Sequence, residues 1–225
     1  MRVCTIIISR NKACHVRAMH TMMYLNMVLR NGGHNNTIVF VNDDAGSRAT
    51  AINEYIKTFD KILFIDYSVS LDIKSIEMVA TELKGVDCLV FPCVTEHIDW
   101  NRFKTEIKNN TYGDEPISQL ALDFDTSVVG KPVLPDIYRV EKTEPRCWVM
   151  DCKAVHRCIS RETGGKKKKI PHSSVRQIPG GSRDMFEFMI SKGVRVCAFT
   201  AADVTIIYTH ECIGNIPNMN GAKLI

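Results

Sequence analysis

The 225-residue chain lacks the usual glycine-rich phosphate fingerprints: it has neither a G-x-G-x-x-G turn nor a P-loop lysine motif. No apolar run approaches the ~20 residues of a membrane span. The N-terminus runs straight into a strand-like segment, with one Arg before it and no small-residue cleavage site, so no signal peptide is visible. A soluble, cytoplasmic protein is expected. The net charge is only +4, and Lys166 to Lys169 supply much of the excess in one run, which leaves no basic face for nucleic acid. Tandem CxxC pairs are missing from the nine cysteines, and Cys147, Cys152 and Cys158 with His156 lack zinc-finger spacing. Cys4, Cys88 and Cys197 sit inside apolar runs and read as reduced, buried thiols. No internal repeat and no linker divides the chain.

What is present is an alternation of strands and helices. Val3-Cys-Thr-Ile-Ile-Ile8 is short, continuous and β-branched, as a central parallel strand buried on both faces would be. Ser9-Arg10-Asn11 ends it. Ala13 to Arg30 is expected as a long helix with an apolar face at Val16, Met19, Met23, Met27 and Val28, stopped by Asn31-Gly-Gly33. Thr37 to Val41 reads as a second buried strand, closing in Asn42-Asp43-Asp44-Ala-Gly46-Ser47, and Ser47 to Thr58 as a second helix. Lys61-Ile-Leu-Phe-Ile65 is the third strand and ends abruptly on Asp66; a helix over Asp72 to Leu83 and a strand over Asp87 to Phe91 follow. This order predicts an α/β fold, a mostly parallel sheet with helices on both faces.

Beyond Pro92 the pattern loosens. Trp100 to Asn109 is a candidate helix, and Asn110 to Pro145 reads as a long irregular segment, usually a sign of function. Arg146 to Met150 resembles a strand and Cys152 to Ile159 a helix. Gly164 through Gly181 reads as a loop, and Ser182-Arg183-Asp184 opens a helix with Ser182 as its N-cap. Val194 to Phe199 and Val204 to Tyr208 are late strands that lead to His210.

In an open α/β sheet, ligands bind beyond the carboxyl ends of the strands, where Asp66 stands. A carboxylate there is costly to bury unless a cation or a hydrogen-bond donor meets it. Asp43 and Asp44 close the second strand, Ser9, Arg10 and Asn11 the first. Asp-Asp-x-Gly is also a routine turn signal, and Asp184 at a helix start is also a routine capping residue.

These strand ends, with Arg183-Asp184-Met-Phe186 through Gly193 to Val196 and then Tyr208-Thr-His210, resemble the GT-A class of nucleotide-sugar-dependent glycosyltransferases over nearly the whole chain. The nearest likeness is to small soluble transferases encoded by large DNA viruses, which implies the host cytoplasm as location. The resemblance implies a single GT-A-like (Rossmann-like) domain, with residues 1–92 as the nucleotide-sugar-binding half and 93–225 as the acceptor and catalytic half. It implies transfer of a sugar from a nucleotide diphosphate, UDP before GDP, to a glycan or other hydroxyl acceptor.

By that resemblance Ser9, Arg10, Asn11, Asp43, Asp44, Asp66, Tyr67 and Ser68 contact the donor. Asp66 and His210 hold Mn²⁺ or Mg²⁺, which would neutralise the leaving diphosphate. Ser68 stands where the family has the second Asp of its metal motif; coordination through water, or substitution by Asp72, would be needed. Asp184 takes the acceptor proton and the reaction inverts the sugar centre, although Arg183 replaces the family's preceding Glu. Asp123, Asp125 and Trp148 are assigned to the acceptor side, Asp123 and Asp125 with a structural role as alternative and Trp148 with a place in the core. Lys166 to Lys169 form a solvated loop or a lid over the diphosphate. The rival readings are a sugar-phosphate nucleotidyltransferase and a catalytically inactive nucleotide- or glycan-binding module.

Overall fold

A computed structural model describes residues 1–10, 13–109, 122–160 and 177–206. Its elements in chain order are β1 (Arg2–Ser9), α1 (Val16–Asn31), β2 (Asn35–Asn42), α2 (Ala45–Tyr55), β3 (Lys61–Ile65), β4 (Val69–Ser70), α3 (Ile73–Ala80), β5 (Cys88–Val90) and β6 (Val94–Ile98). They continue with α4 (Trp100–Asn109), β7 (Leu122–Phe124), β8 (Thr126–Leu134), β9 (Ile137–Thr143), β10 (Cys147–Asp151), α5 (Cys152–Ser160), α6 (Ser182–Ser191), β11 (Val196–Phe199) and β12 (Thr205–Ile206).

Eight strands form one sheet in the order β2-β1-β3-β10-β5-β11-β9-β8. β1 pairs in parallel with both β2 and β3, and β5 with β11. β10 runs antiparallel between β3 and β5, and β9 antiparallel to β11 and β8. All strands except β9 and β10 therefore point one way, and the expected α/β architecture is present. The sheet interleaves the two sequence halves, since β10 and β11 join strands of residues 1–92.

Helices cover both faces. Cys4, Ile6 and Ile8 of β1 pack with Ile52, Met185 and Phe186 from α2 and α6. On the other face, Val3, Leu63 and Ile65 pack with Leu25 and Leu29 of α1 and Val79 of α3. Alternate residues of a strand face opposite sides, so a strand covered on both sides is apolar along most of its length, as β1 is over Ile6 to Ile8 and β3 over Ile62 to Ile65. Trp148 anchors the first face; its ring stacks on Phe64 at 5.1 Å and meets Phe186 edge-on at 6.0 Å. Trp148→Ala is expected to cost about 3–5 kcal/mol, read as a lower melting temperature in denaturation by heat.

Four expectations are corrected. β2 is an edge strand with Ile38 and Phe40 exposed, because only β1 pairs with it. α1 seats through Ala18, Thr21, Met22, Leu25 and Leu29, while Val16, Met19, Met23 and Met27 face outward. The helix is apolar on two stripes, and tertiary packing selects the one carrying both leucines. The supposedly irregular 110–145 segment contains, within its described part, the β8–β9 hairpin, which extends the sheet; Asp136 takes the left-handed conformation at its turn. Finally, Gly181 and not Ser182 is the N-cap of α6, and the Ser182 hydroxyl donates instead to the Pro145 carbonyl at 3.2 Å.

The described cysteines are free, and most are buried. Burial pushes the Cys4 and Cys152 thiols up to about 12, so neither is a nucleophile at neutral pH.

Asp87, ahead of β5, accepts from the Arg195 backbone N–H at 2.9 Å, from Nε at 3.0 Å and from a terminal guanidinium nitrogen at 2.6 Å. Burial pushes this carboxyl up, but the Arg195 bonds outweigh it and hold the carboxyl below its usual range. Its stabilisation is then present above the unfolded value of about 3.9 and lost as pH falls through the lower folded value. Asp87→Asn should lower stability by about 2 kcal/mol at neutral pH. It should also flatten the loss of stability below about pH 4, measured by thermal melts across the acid limb.

Candidate functional site

The carboxyl ends of β1, β2 and β3 bring Arg10, Asp43 and Asp66 to one edge of the sheet. β1 ends in a tight loop, in which Arg10 and Ala13 exchange backbone hydrogen bonds at 3.3 and 2.9 Å. β2 ends on Asp43, followed by Asp44, which caps α2 by accepting from the Ser47 N–H at 2.7 Å. Asp66 ends β3, and its own N–H donates to the Arg146 carbonyl at 2.9 Å.

Asp43 is the centre of a charge cluster. One of its oxygens accepts from Arg10 Nε at 2.6 Å, and the other pairs with the Arg48 guanidinium. Burial pushes the Asp43 carboxyl up, yet the two guanidiniums hold it below its usual range. The Arg10 guanidinium also lies 5.8 Å over the Tyr67 ring. Asp66 uses one oxygen to accept from the Tyr67 N–H at 2.8 Å and turns the other toward Arg146, 3.9 Å away.

These groups surround a cleft of about 190 Å³. Arg10, Arg48, Arg146, Asp66 and Glu144 line its charged side, and Ile52, Phe64, Trp148 and Met185 its apolar floor. Gly180 and Ser182, at the start of α6, close the remaining side. Asp184 sits in the first turn of that helix with its side chain exposed, and its carboxylate has no hydrogen bond or ion pair among the described residues. A larger cavity, about 240 Å³, opens at the opposite edge of the sheet around Lys61, the first residue of β3. There the ammonium group donates to the Val79 and Thr81 carbonyls at 2.8 and 2.6 Å, which ends α3.

The donor residues expected from sequence divide. Arg10 and Asp66 line the cleft, and Asp43 and Tyr67 contact Arg10 beside it. Ser9 donates to the Val41 carbonyl at 3.4 Å, and Asp44 serves as a helix cap. Ser68 is 5% exposed, packed inside the turn after β3. Asn11, His210 and Lys166 to Lys169 lie outside the described residues.

Of the acceptor-side candidates, Trp148 lines the cleft while Asp123 and Asp125 do not. Trp148 is 1% exposed with one ring face against Phe64, so it forms the cleft floor and has no free face for a sugar. Asp123 faces Arg102 at 3.9 Å. Asp125 is spent structurally: it accepts from the Cys93 N–H at 3.1 Å, the Thr126 hydroxyl at 2.8 Å and the Arg146 N–H at 3.3 Å. Burial pushes its carboxyl up.

Only part of the expected divalent-cation site lies among the described residues. Among the described residues no three His, Cys, Asp or Glu side chains gather as a metal site. Asp66 is the one expected ligand present, and Arg146 already faces it. Ser68 is buried, and Asp72 directs both oxygens to the Lys74 and Ser75 N–H groups at the start of α3.

Sequence reading missed Arg48, Arg146 and Glu144. An arginine in a helix's first turn or just before a strand carries no motif. Only the proximity of Arg48 to Asp44 and of Arg146 to β10 marks where to look.

No family model and no curated protein matches the chain. Among solved structures it is similar to a mutant Drosophila beta-1,4-galactosyltransferase 7 in complex with manganese, UDP-Gal and xylobiose. The TM-score is 0.45 and the identity 9%, over 95% of this chain and 74% of that one.

Proposed function

We propose that the chain is a glycosyltransferase that takes a sugar from a nucleotide diphosphate, a UDP-sugar before a GDP-sugar, and passes it to a hydroxyl acceptor with inversion. The observation that carries the reading is the cleft at the carboxyl ends of β1, β2 and β3, with three arginines inside it and the Asp184 turn beside it. Asp184 takes the acceptor proton as the acceptor oxygen attacks the anomeric carbon. The bond from that carbon to the diphosphate oxygen breaks, and its electron pair leaves with the nucleotide. The apolar floor under the cleft limits water around the bond, which favours transfer over hydrolysis.

Manganese is the cofactor that the sequence resemblance implies, with Asp66 and His210 as ligands. β12 pairs antiparallel with β4, Thr205 opposite Ser70 and Ile206 opposite Val69, so the chain at Ile206 is heading toward Asp66. His210 follows four residues later, a reach of at most ~14 Å in extended chain.

The test is release of UDP or GDP from a panel of nucleotide sugars, with Mn²⁺, with Mg²⁺ and with chelator, followed by nucleotide binding. Release from one donor is the expected result. Absence of both release and nucleotide binding would overturn the reading.

A further inference from the structure

We propose that this cleft meets the donor's diphosphate with guanidinium groups in place of a divalent cation, using Arg10, Arg48 and Arg146 as the anion site. The inference rests on the nucleotide-sugar reading above and goes beyond it in naming the groups that hold the leaving group.

Three separate elements each deliver one arginine: the end of β1, the first turn of α2 and the residue before β10. Like charges converge only where something holds them. Here Asp43 bridges Arg10 and Arg48 with its two oxygens, and Asp66 faces Arg146. The Arg48 and Arg146 side chains are 23% and 30% exposed, so their charges are less screened than on an open surface. Glu144, the other acid lining the cleft, is drawn to Arg183 at 3.2 Å. Three arginines and two acids, Asp66 and Glu144, line the cleft, with Asp43 pairing two of the arginines.

A second, independent observation is the Nε of Arg48, which is buried and has no hydrogen-bond partner. Buried N–H donors are nearly always paired in folded proteins, and an exception calls for a partner supplied from outside. A phosphate oxygen is such a partner, because the guanidinium fork matches phosphate geometry through two parallel N–H donors.

The two acids that end β2 and β3 are occupied. Both Asp43 oxygens serve arginines, and Asp66 serves the Tyr67 N–H and faces Arg146. An incoming Mn²⁺ would compete with guanidiniums for the same oxygens. An incoming diphosphate would find donors already oriented. In the reaction, the charge that appears on the diphosphate oxygen when the glycosidic bond breaks is met by these guanidiniums, with no proton transferred to it.

The experiment is calorimetric titration of the full chain with inorganic pyrophosphate, UDP and GDP, in chelator and again in Mn²⁺. Pyrophosphate and one nucleotide should bind in chelator, with affinity within about threefold of that in Mn²⁺. Arg48→Gln and Arg146→Gln should each weaken both by about tenfold or more, as expected when one charge-assisted pair is lost. Arg48→Lys keeps the charge without the fork and should fall between wild type and Arg48→Gln; it serves if Arg48→Gln fails to fold, and a melting curve of each variant identifies that case. Nucleotide binding that requires Mn²⁺ and vanishes in chelator would overturn the arginine site while upholding the nucleotide reading. Pyrophosphate binding without nucleotide binding would do the reverse. Arginine variants that bind like wild type would overturn the proposal outright.

Discussion

Asp184→Asn is expected to bind nucleotide as the wild type does and to transfer sugar about 10²–10⁴-fold more slowly. The residue occupies the first turn of α6, the same turn whose Ser182 and Met185 line the cleft. Its carboxylate is exposed and unpartnered among the described residues, so it is available to take a proton. A capping role would look different. The N-cap is Gly181, and no N–H of α6 donates to the Asp184 side chain, which leaves only a helix-dipole contribution of about 0.3–1 kcal/mol. The amide variant loses that and the basicity together. A rate collapse with a melting temperature shifted by only a few degrees therefore identifies the base. Initial transfer rates measured beside nucleotide affinity decide the matter. Unchanged turnover would remove Asp184 from the mechanism, and loss of turnover in Glu144→Gln would then assign the proton to Glu144, one of two carboxylates lining the cleft.

Gly180→Ala should be the most damaging small substitution at the site. A methyl group there would fall onto the Ala45 carbonyl oxygen and within 2.8 Å of Ala49 N, both of them backbone atoms of α2. Backbone cannot swing aside as a side-chain tip can. The expected cost is about 3 kcal/mol or more, at or above the upper end of ordinary overpacking. Because α2 also carries Arg48, nucleotide binding should weaken with stability. Gly181→Ala is the control: its nearest new neighbour is the Asp184 carboxylate, 3.3 Å away and free to rotate. That variant should melt within a few degrees of wild type while transferring more slowly. Equal melting temperatures for the two alanine variants would refute the close approach of the Gly180 backbone to α2.

The parts of this structure that show in the sequence are those governed by short-range rules. β1 and β3 are mostly apolar because each is covered on both faces, and that pattern is visible in Val3 to Ile8 and in Ile62 to Ile65. The acids that end β2 and β3 are visible for the same reason, since an apolar run that stops on Asp marks a strand leaving the core. β8 is hidden because its side chains are mostly exposed and Gly130 and Pro132 interrupt it, so neither burial nor alternation writes a pattern. The seating of α1 is hidden because two apolar stripes compete. The arginine cluster is hidden most deeply: Arg10, Arg48 and Arg146 meet only after three elements distant in sequence have packed, and no local rule joins them.

The neighbours of β5 have a consequence for how the chain comes to be folded in time. Cys88 to Val90 hydrogen-bonds to β10 on one side and to β11 on the other, and neither has been synthesised when β5 emerges from the ribosome. At ordinary elongation speeds the roughly hundred residues between β5 and β11 take about 5–20 s to appear. Until β10 appears both edges of this apolar strand are unpaired, and until β11 appears one still is. Such a chain depends on late closure of its middle, so premature termination or slowed translation after β5 should yield aggregates and not a smaller folded protein.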